Sequence, residues 1–356
     1  FPKNHFFNIQ DQMDFFGDKF YSKVFNRKSV KSYINELKKD KRNNADLYLP
    51  FNKIKEQDYF SNQKNFRTIQ KDFLINQSKN LIKKIVFLDH HSCHASYAYY
   101  SIEKRERESA NICVLTLDSE GDGINQTFWK PSKNKKTIKK VFFSSQCDLA
   151  RIYKMTTLIL GMKPDEHEYK VMGMAPYSKQ SYSENVYNDV YKNLLKVKNG
   201  KVIYNKRPKN LYNYLLKKLA PHRFDNICGA VQKLVEDISI KILSQLHRKY
   251  KFKFFAISGG VSMNIKMNKI LSELQFVKKI YVSPTGSDES LSIGACYHLA
   301  KNESKSLKNI YLGQTLLKEN LKPLNQIKKI FPKRVYSIKE NVKSSEIANL
   351  IKKNQI

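Results

Sequence analysis

Phe254-Phe-Ala-Ile-Ser-Gly-Gly-Val-Ser-Met-Asn264 reads as a short apolar strand, a two-glycine turn and the opening of a helix near 262. The pattern then repeats, with a strand at Lys279-Ile-Tyr-Val-Ser283 and a helix from about 288. Strand, helix, strand and helix at this spacing predict a right-handed crossover and a parallel strand pair. Upstream, Asn111-Ile-Cys-Val-Leu-Thr-Leu-Asp118, Gln126-Thr-Phe-Trp-Lys130 and Thr137-Ile-Lys-Lys-Val-Phe-Phe143 form three strands separated by Gly- or Lys-Asn-rich turns, an antiparallel meander. A meander followed by crossover units predicts an α/β fold with a mixed sheet.

Elsewhere in the chain, helices are predicted near 12–25, 28–39, 69–84, 90–101 and 149–160. Apolar Val231, Leu234, Ile238, Ile242 and Leu246 recur at helical spacing within 227–250 and predict a long amphipathic helix. Ile85-Val-Phe-Leu-Asp89 reads as a buried strand, and Asn199-Gly200 between short apolar runs as a tight hairpin.

The chain has 356 residues, 41% of them hydrophobic, which is enough for a sizeable core and excludes wholesale disorder. It contains no apolar run long enough to span a bilayer, and the opening Phe-Pro-Lys-Asn-His lacks signal-peptide character, so a soluble, cytoplasmic protein without membrane partners is expected. Five scattered cysteines suggest neither a disulfide framework nor a metal knuckle. The formal charge of +33 would draw polyanions if concentrated on one face, but lysines are spread along the sequence, and a solvated basic surface is the simpler reading.

His90 and His94 lie four apart at the start of a predicted helix, so that both rings project from one face, the spacing at which two imidazoles share a metal. A polar helix start would use the same residues. Asp118 ends an apolar strand and opens Ser119-Glu-Gly-Asp-Gly123, where Gly121 and Gly123 let backbone amides approach an anion or nucleotide phosphate. Asp288 stands at a helix start, where capping is an equal alternative. Gly259 and Gly260, between strand and helix, suit a phosphate or adenosine, though close strand-on-helix packing explains them equally. Asn264 and Asn268 stand just beyond that turn, either facing a ligand or lying on the surface.

The stretches His90-His-Ser-Cys-His-Ala-Ser-Tyr-Ala98, Leu115–Gly123, Glu168-Tyr-Lys-Val-Met-Gly-Met-Ala-Pro-Tyr177, Ser258–Asn264 and Ser283-Pro-Thr-Gly-Ser-Asp288 with Ile293-Gly-Ala295 together resemble, in order, the carbamoyltransferase family of the nodulation and antibiotic-tailoring type. The resemblance implies an actin-like ATPase (ribonuclease H-like) fold. It implies an enzyme moving a carbamoyl group from carbamoyl phosphate, via carbamoyl-adenylate made with ATP, to a hydroxyl of a small molecule or saccharide. His90, His94, Asp118 and Asp288 would then hold an iron-type divalent metal, and Gly121, Gly259, Gly260, Asn264 and Lys170 would hold nucleotide. Lys170 and Asp225, beside Asn226 where the family has an Asp before the long helix, would be catalytic.

On this resemblance residues 1–305 are expected to form the transfer domain, incomplete at its start. Residues 306–356 would begin an adenylate-forming domain cut short. Nucleic acid is not an expected partner, and a homodimer is left open. The competing readings are a threonylcarbamoyl-tRNA synthesis subunit, which the charge would suit and Lys170–Tyr177 argues against, and a basic nucleic-acid-binding protein on an ATPase-like fold.

Overall fold

The computed structural model describes residues 63–78, 81–82, 84–303, 305–307, 310 and 342–352; the helices expected at 12–25 and 28–39 lie outside them. The chain divides into two compact units, Phe1–Lys308 and Asn309–Ile356. In the first, the described elements run α1 (Gln63–Gln77), α2 (His90–Tyr100), α3 (Lys104–Ser109), β1 (Ile112–Gly121), β2 (Ile124–Pro131), β3 (Ile138–Ser144), α4 (Leu149–Ile159), α5 (Glu168–Met174), α6 (Gln180–Val186), β4 (Leu195–Lys198), β5 (Lys201–Tyr204), α7 (Leu211–Leu219), α8 (Phe224–Tyr250), β6 (Phe254–Ser258), α9 (Ile265–Ser272), β7 (Lys279–Val282) and α10 (Leu291–Ala300). The described helix of the second unit is α11 (Ser344–Lys352).

The central sheet has the order β3-β2-β1-β6-β7. β1, β2 and β3 pair antiparallel, whereas β6 lies parallel to β1 and β7 parallel to β6. The meander and the crossover pair thus share β1. This is the sheet of the actin-like ATPase (ribonuclease H-like) fold.

Alternation along β1 divides its side chains between two layers, as the period of two requires. Cys113, Leu115 and Leu117 join Phe255, Ile257 and the buried stripe of α8, which includes Val231, Leu234, Val235 and Ile238, in the larger core. Ile112 and Val114 face the other way, with Ala256 and Trp129, against Ala95, Tyr97, Ala98 and Tyr99 of α2 and Tyr297 of α10. A sheet covered on both faces explains why β1 and β6 read as continuous apolar runs. α2 and α10 approach closely because Gly294 has no side chain; a Cβ there would lie 2.2 Å from the Cys93 carbonyl oxygen.

Four expectations need correction. Ile85–Asp89 is not a strand: only Leu88 is buried, it forms an isolated bridge, and Asp89 is spent on capping α2. The helix expected over 69–84 is α1, which ends at Gln77, where the Ser78 hydroxyl bonds back to the Ile75 carbonyl at 2.7 Å and competes with further helix. The turn expected at 119–123 shrinks to Asp122-Gly123, because β1 continues through a register irregularity between Leu117 and Gly121 before turning. Both turn residues have positive φ, 57° and 75°, the two-residue hairpin geometry that Asp-Gly favours. Lastly, mostly apolar neighbours suggest that the cysteines are small core residues, yet Cys296 is exposed, while Cys93, Cys113, Cys147 and Cys228 are buried thiols.

Candidate metal centre and adjoining cavity

α2 begins with its orphan N–H groups capped twice. Asp89 Oδ1 accepts from the Ser92 amide at 2.8 Å, and Asp122 Oδ2, reaching from the hairpin turn, accepts from the His90 amide at 2.8 Å. This fixes the first turn of α2 over the end of β1, and His90 and His94 project one turn apart toward the strand. Gly121 completes the fit. A Cβ on it would stand 2.1 Å from Cδ2 of the His90 ring. The lack of a side chain at 121 is therefore explained by imidazole packing.

The Nε2 atoms of His90 and His94 are 3.1 Å apart. Asp118 Oδ2 lies 3.1 Å from the first and 3.0 Å from the second. Asp288 Oδ1 lies 3.4 Å from each. One ligand atom from each of these four residues falls within 4.8 Å of the others. Donors bound at about 2.1 Å stand roughly 3.0 Å apart at right angles and roughly 3.4 Å apart at the tetrahedral angle. The separations from each histidine nitrogen span that interval and all four donors lie in one cluster, so the four residues can hold a single divalent ion. His90, His94 and Asp118 are buried, whereas the Asp288 side chain is 49% exposed, which leaves one side of the centre open.

Asp288 comes from a one-turn 3-10 helix, Asp288–Ser290, ahead of α10; the N-cap position there belongs to Ser287, and the Asp288 carboxylate faces the centre. On the closed side, His94 Nδ1 faces Ser258 Oγ at 3.5 Å. His91, which shares this turn of α2, points into the sheet. Its Nδ1 is 2.7 Å from Thr116 Oγ1, and its Nε2 is 2.8 Å from the Ile124 carbonyl.

The electrostatics follow from this packing. Burial acts against the imidazolium of His94, but hydrogen bonds to Asp118 and Asp288 outweigh it and hold its pKa up at about 9. Burial would raise the Asp118 carboxyl, yet the hydrogen bonds from His90 and His94 hold it well below the usual carboxylate range. Burial and the neighbouring His90 push His91 down to about 3, leaving it neutral.

Beside the four donors opens a cavity of about 440 Å³. Asp118, Gly260 and Asn264 line it, together with Tyr153, Glu168 and Tyr169. Gly259, with φ of 94° and Leu117 O 2.2 Å from where a Cβ would be, is required by the crossing of the turn over β1. At Gly260 a Cβ would come 3.3 Å from Asp118 Oδ1, so this glycine leaves the carboxylate open to the cavity. Burial raises the pKa of the Glu168 carboxyl.

The remaining candidates are placed as follows. Asn264 caps α9 by accepting from the Met267 amide at 2.9 Å and donates to Gln232 at 2.9 Å, while Asn268 donates to the Ser262 carbonyl at 2.7 Å. Lys170, half-buried on α5, is not among the residues lining the cavity; its ammonium lies 5.8 Å from the centroid of the Tyr169 ring. Asp225 also does not line it. Arg223 bonds the Asp225 carboxylate at 3.1 and 3.2 Å and holds its pKa below the ordinary value. Sequence alone does not mark His91, Asp122, Glu168 or Ser258 as members of the site. Asp122 alone had a local signal, the Asp-Gly hairpin pair.

Comparison with known proteins bears on the same segments. The carbamoyltransferase N-terminus family matches residues 5–297. An uncharacterized protein of Methanocaldococcus jannaschii is 26% identical over 343 residues, covering 93% of this chain and 61% of that protein. The nodulation protein NolNO of Sinorhizobium fredii is 25% identical over 243 residues, covering 65% of this chain and 34% of its own length. The chain thus spans between about a third and three fifths of the curated relatives it matches. Among solved structures, component A of the Acidaminococcus fermentans (R)-2-hydroxyglutaryl-CoA dehydratase overlaps 60% of this chain and 68% of that one, at 15% identity and a TM-score of 0.35. With the histidine pair, both aspartates and the glycine turn all inside the matched residues, this chain belongs to the carbamoyltransferase family, in its N-terminal region.

Proposed function

We propose that this chain carries the metal- and nucleotide-binding part of an O-carbamoyltransferase. The enzyme would move a carbamoyl group from carbamoyl phosphate, by way of carbamoyl-adenylate made with ATP, to a hydroxyl of a small molecule or sugar. One observation carries this reading: in a member of this family, four donors converge at the wall of a cavity shaped by the Gly259-Gly260 turn.

Two imidazoles and two carboxylates are a donor set that borderline divalent ions accept, iron(II) among them. The ion, when bound, supplies Lewis-acid polarisation of a carbonyl or phosphoryl oxygen. The chain's own contribution is positional. Asp118 and Asp288 are the donors nearest the open side, and Gly260 keeps backbone rather than side chain beside Asp118, so a phosphate or carbamoyl group can approach. Tyr153, Val235 and Val261 give the cavity apolar walls, where a planar base is sheltered from water. Residues 1–305 would form this transfer domain and 306–356 the start of the adenylate-forming one.

The assay is transfer of label from carbamoyl phosphate, with and without ATP, to a panel of aminoglycoside and oligosaccharide hydroxyls by a metal-loaded protein that joins this chain to a whole adenylate-forming domain. ATP-dependent carbamate ester on an acceptor supports the proposal. Label reaching tRNA alone, or none under any metal, defeats it.

A further inference from the structure

His91 and Thr116 belong to a buried hydrogen-bond chain whose direction the structure fixes. The Ile124 carbonyl can only accept, so His91 Nε2 carries the proton and Nδ1 is an acceptor. Thr116 Oγ1, 2.7 Å from Nδ1, must then donate to it. That leaves the Thr116 oxygen to accept from Thr127 Oγ1 at 2.5 Å, and Thr127 in turn accepts from Trp129 Nε1 at 2.7 Å. His91, Thr116 and Thr127 are wholly shielded from solvent, and Trp129 is 6% exposed. Every polar atom in the series is satisfied in a single direction: Trp129 to Thr127 to Thr116 to His91 to Ile124.

Thr116 and Asp118 are two apart on β1 and on the same face of the sheet as α2. His91 lies between the ligands His90 and His94 on α2. The His91–Thr116 bond therefore sets how α2 lies over β1, and with it the distance from both imidazoles to Asp118. Thr127 pairs with Thr116 across β2, while Ser258 pairs with it on β6, so the row continues to the hydroxyl facing His94 Nδ1.

We infer that His91 is a positioning residue of the metal centre, held by Thr116 and Thr127, and that the chain's one tryptophan, Trp129, senses occupancy of the centre through them. This rests on the metal-binding reading above. Partners that orient ligands of a metal typically change its affinity by about 10- to 100-fold. Thr116→Val keeps shape and removes the hydroxyl, while Thr116→Ser keeps the hydroxyl.

The test titrates zinc chloride into the full chain, reading affinity by competition with a chromophoric chelator and Trp129 emission in parallel. Zinc is chosen because its closed shell does not quench fluorescence. The wild type is expected to bind and to shift its emission. Thr116→Val should bind at least about tenfold more weakly with no shift, and Thr116→Ser should restore both. A folded Thr116→Val with wild-type affinity and emission response overturns this inference and leaves the metal site standing. A wild type that binds no zinc, cobalt or iron overturns both. Should Thr116→Val fail to fold, nitrogen-15 shifts of the wild-type His91 ring decide the matter: the proton on Nε2 agrees with the chain, and the proton on Nδ1 overturns it.

Discussion

Gly121 and the ring of His90 are packed so tightly that a Cβ at position 121 would fall 2.1 Å from Cδ2 and 2.7 Å from Nε2. Gly121→Ala must therefore push the imidazole off its present line. Overpacking of this kind costs about 1–3 kcal/mol, and here it also displaces a donor. Thermal unfolding should show a lowered midpoint, and metal titration a weaker site. An alanine variant with wild-type metal affinity would mean that the His90 ring is free to choose another position.

His94 is buried, with its Nε2 facing both carboxylates. His94→Ala should reduce metal affinity by more than about 100-fold, beyond what loss of a mere orienting partner causes. The circular dichroism spectrum should keep its native form, because α2 is also held by Ala95, Tyr97, Ala98 and Tyr99 in the second core. Equilibrium dialysis against cobalt(II) provides the measurement.

The metal-free protein has a pH signature of defined sign. His94, ordinarily near 6.5, is held up at about 9. Its contribution to stability is complete below about 6.5 and is lost as pH rises through about 9. Metal binding requires that same nitrogen unprotonated, so ion affinity should rise over the same window with release of a proton. Melting curves with and without zinc at several pH values between 6.5 and 9 should diverge progressively toward the alkaline end. A constant separation would contradict the assignment.

Gly260 and Lys170 make separate predictions about the cavity. Gly260→Ala places a methyl group 3.3 Å from Asp118 Oδ1 and should weaken ATP binding while a metal still binds. Lys170, which does not line the cavity, should matter less: Lys170→Ala is expected to weaken ATP binding by less than about tenfold, the scale of a partly exposed charge. Isothermal titration of the metal-loaded protein with ATP would rank the two.

The strands were legible because β1 and β6 carry long apolar runs and two hairpin turns carry residues of positive φ, Asp122-Gly123 at 57° and 75° and Asn199-Gly200 at 55° and 82°. The four converging donors were legible as types and spacings. His90 and His94 show the helical interval, Asp118 closes the apolar run of β1, and Asp288 stands beyond β7. What the sequence hides is long-range. The 100° step along α2 turns His91 away from His90 and His94, but only the fold shows that it meets Thr116 in the sheet. Glu168 carries no local mark of lining a cavity. Lys170 opens the stretch that argues against the threonylcarbamoyl-tRNA reading, yet its neighbour Tyr169 is the one that reaches the cavity wall. Ile85–Asp89 misled because four apolar residues read as a strand, although just one of them, Leu88, is buried.

Metal content decides whether the four donors share one ion. The protein, purified without oxygen, loaded with iron(II) and desalted, should retain about one ion per chain, and the Asp118→Asn protein, which keeps the shape but loses the carboxylate charge, should retain little. Loss of metal in Asp118→Asn with the fold intact is the predicted result. Equal retention by both proteins, or none by the wild type, would contradict the convergence of His90, His94, Asp118 and Asp288 on a single ion.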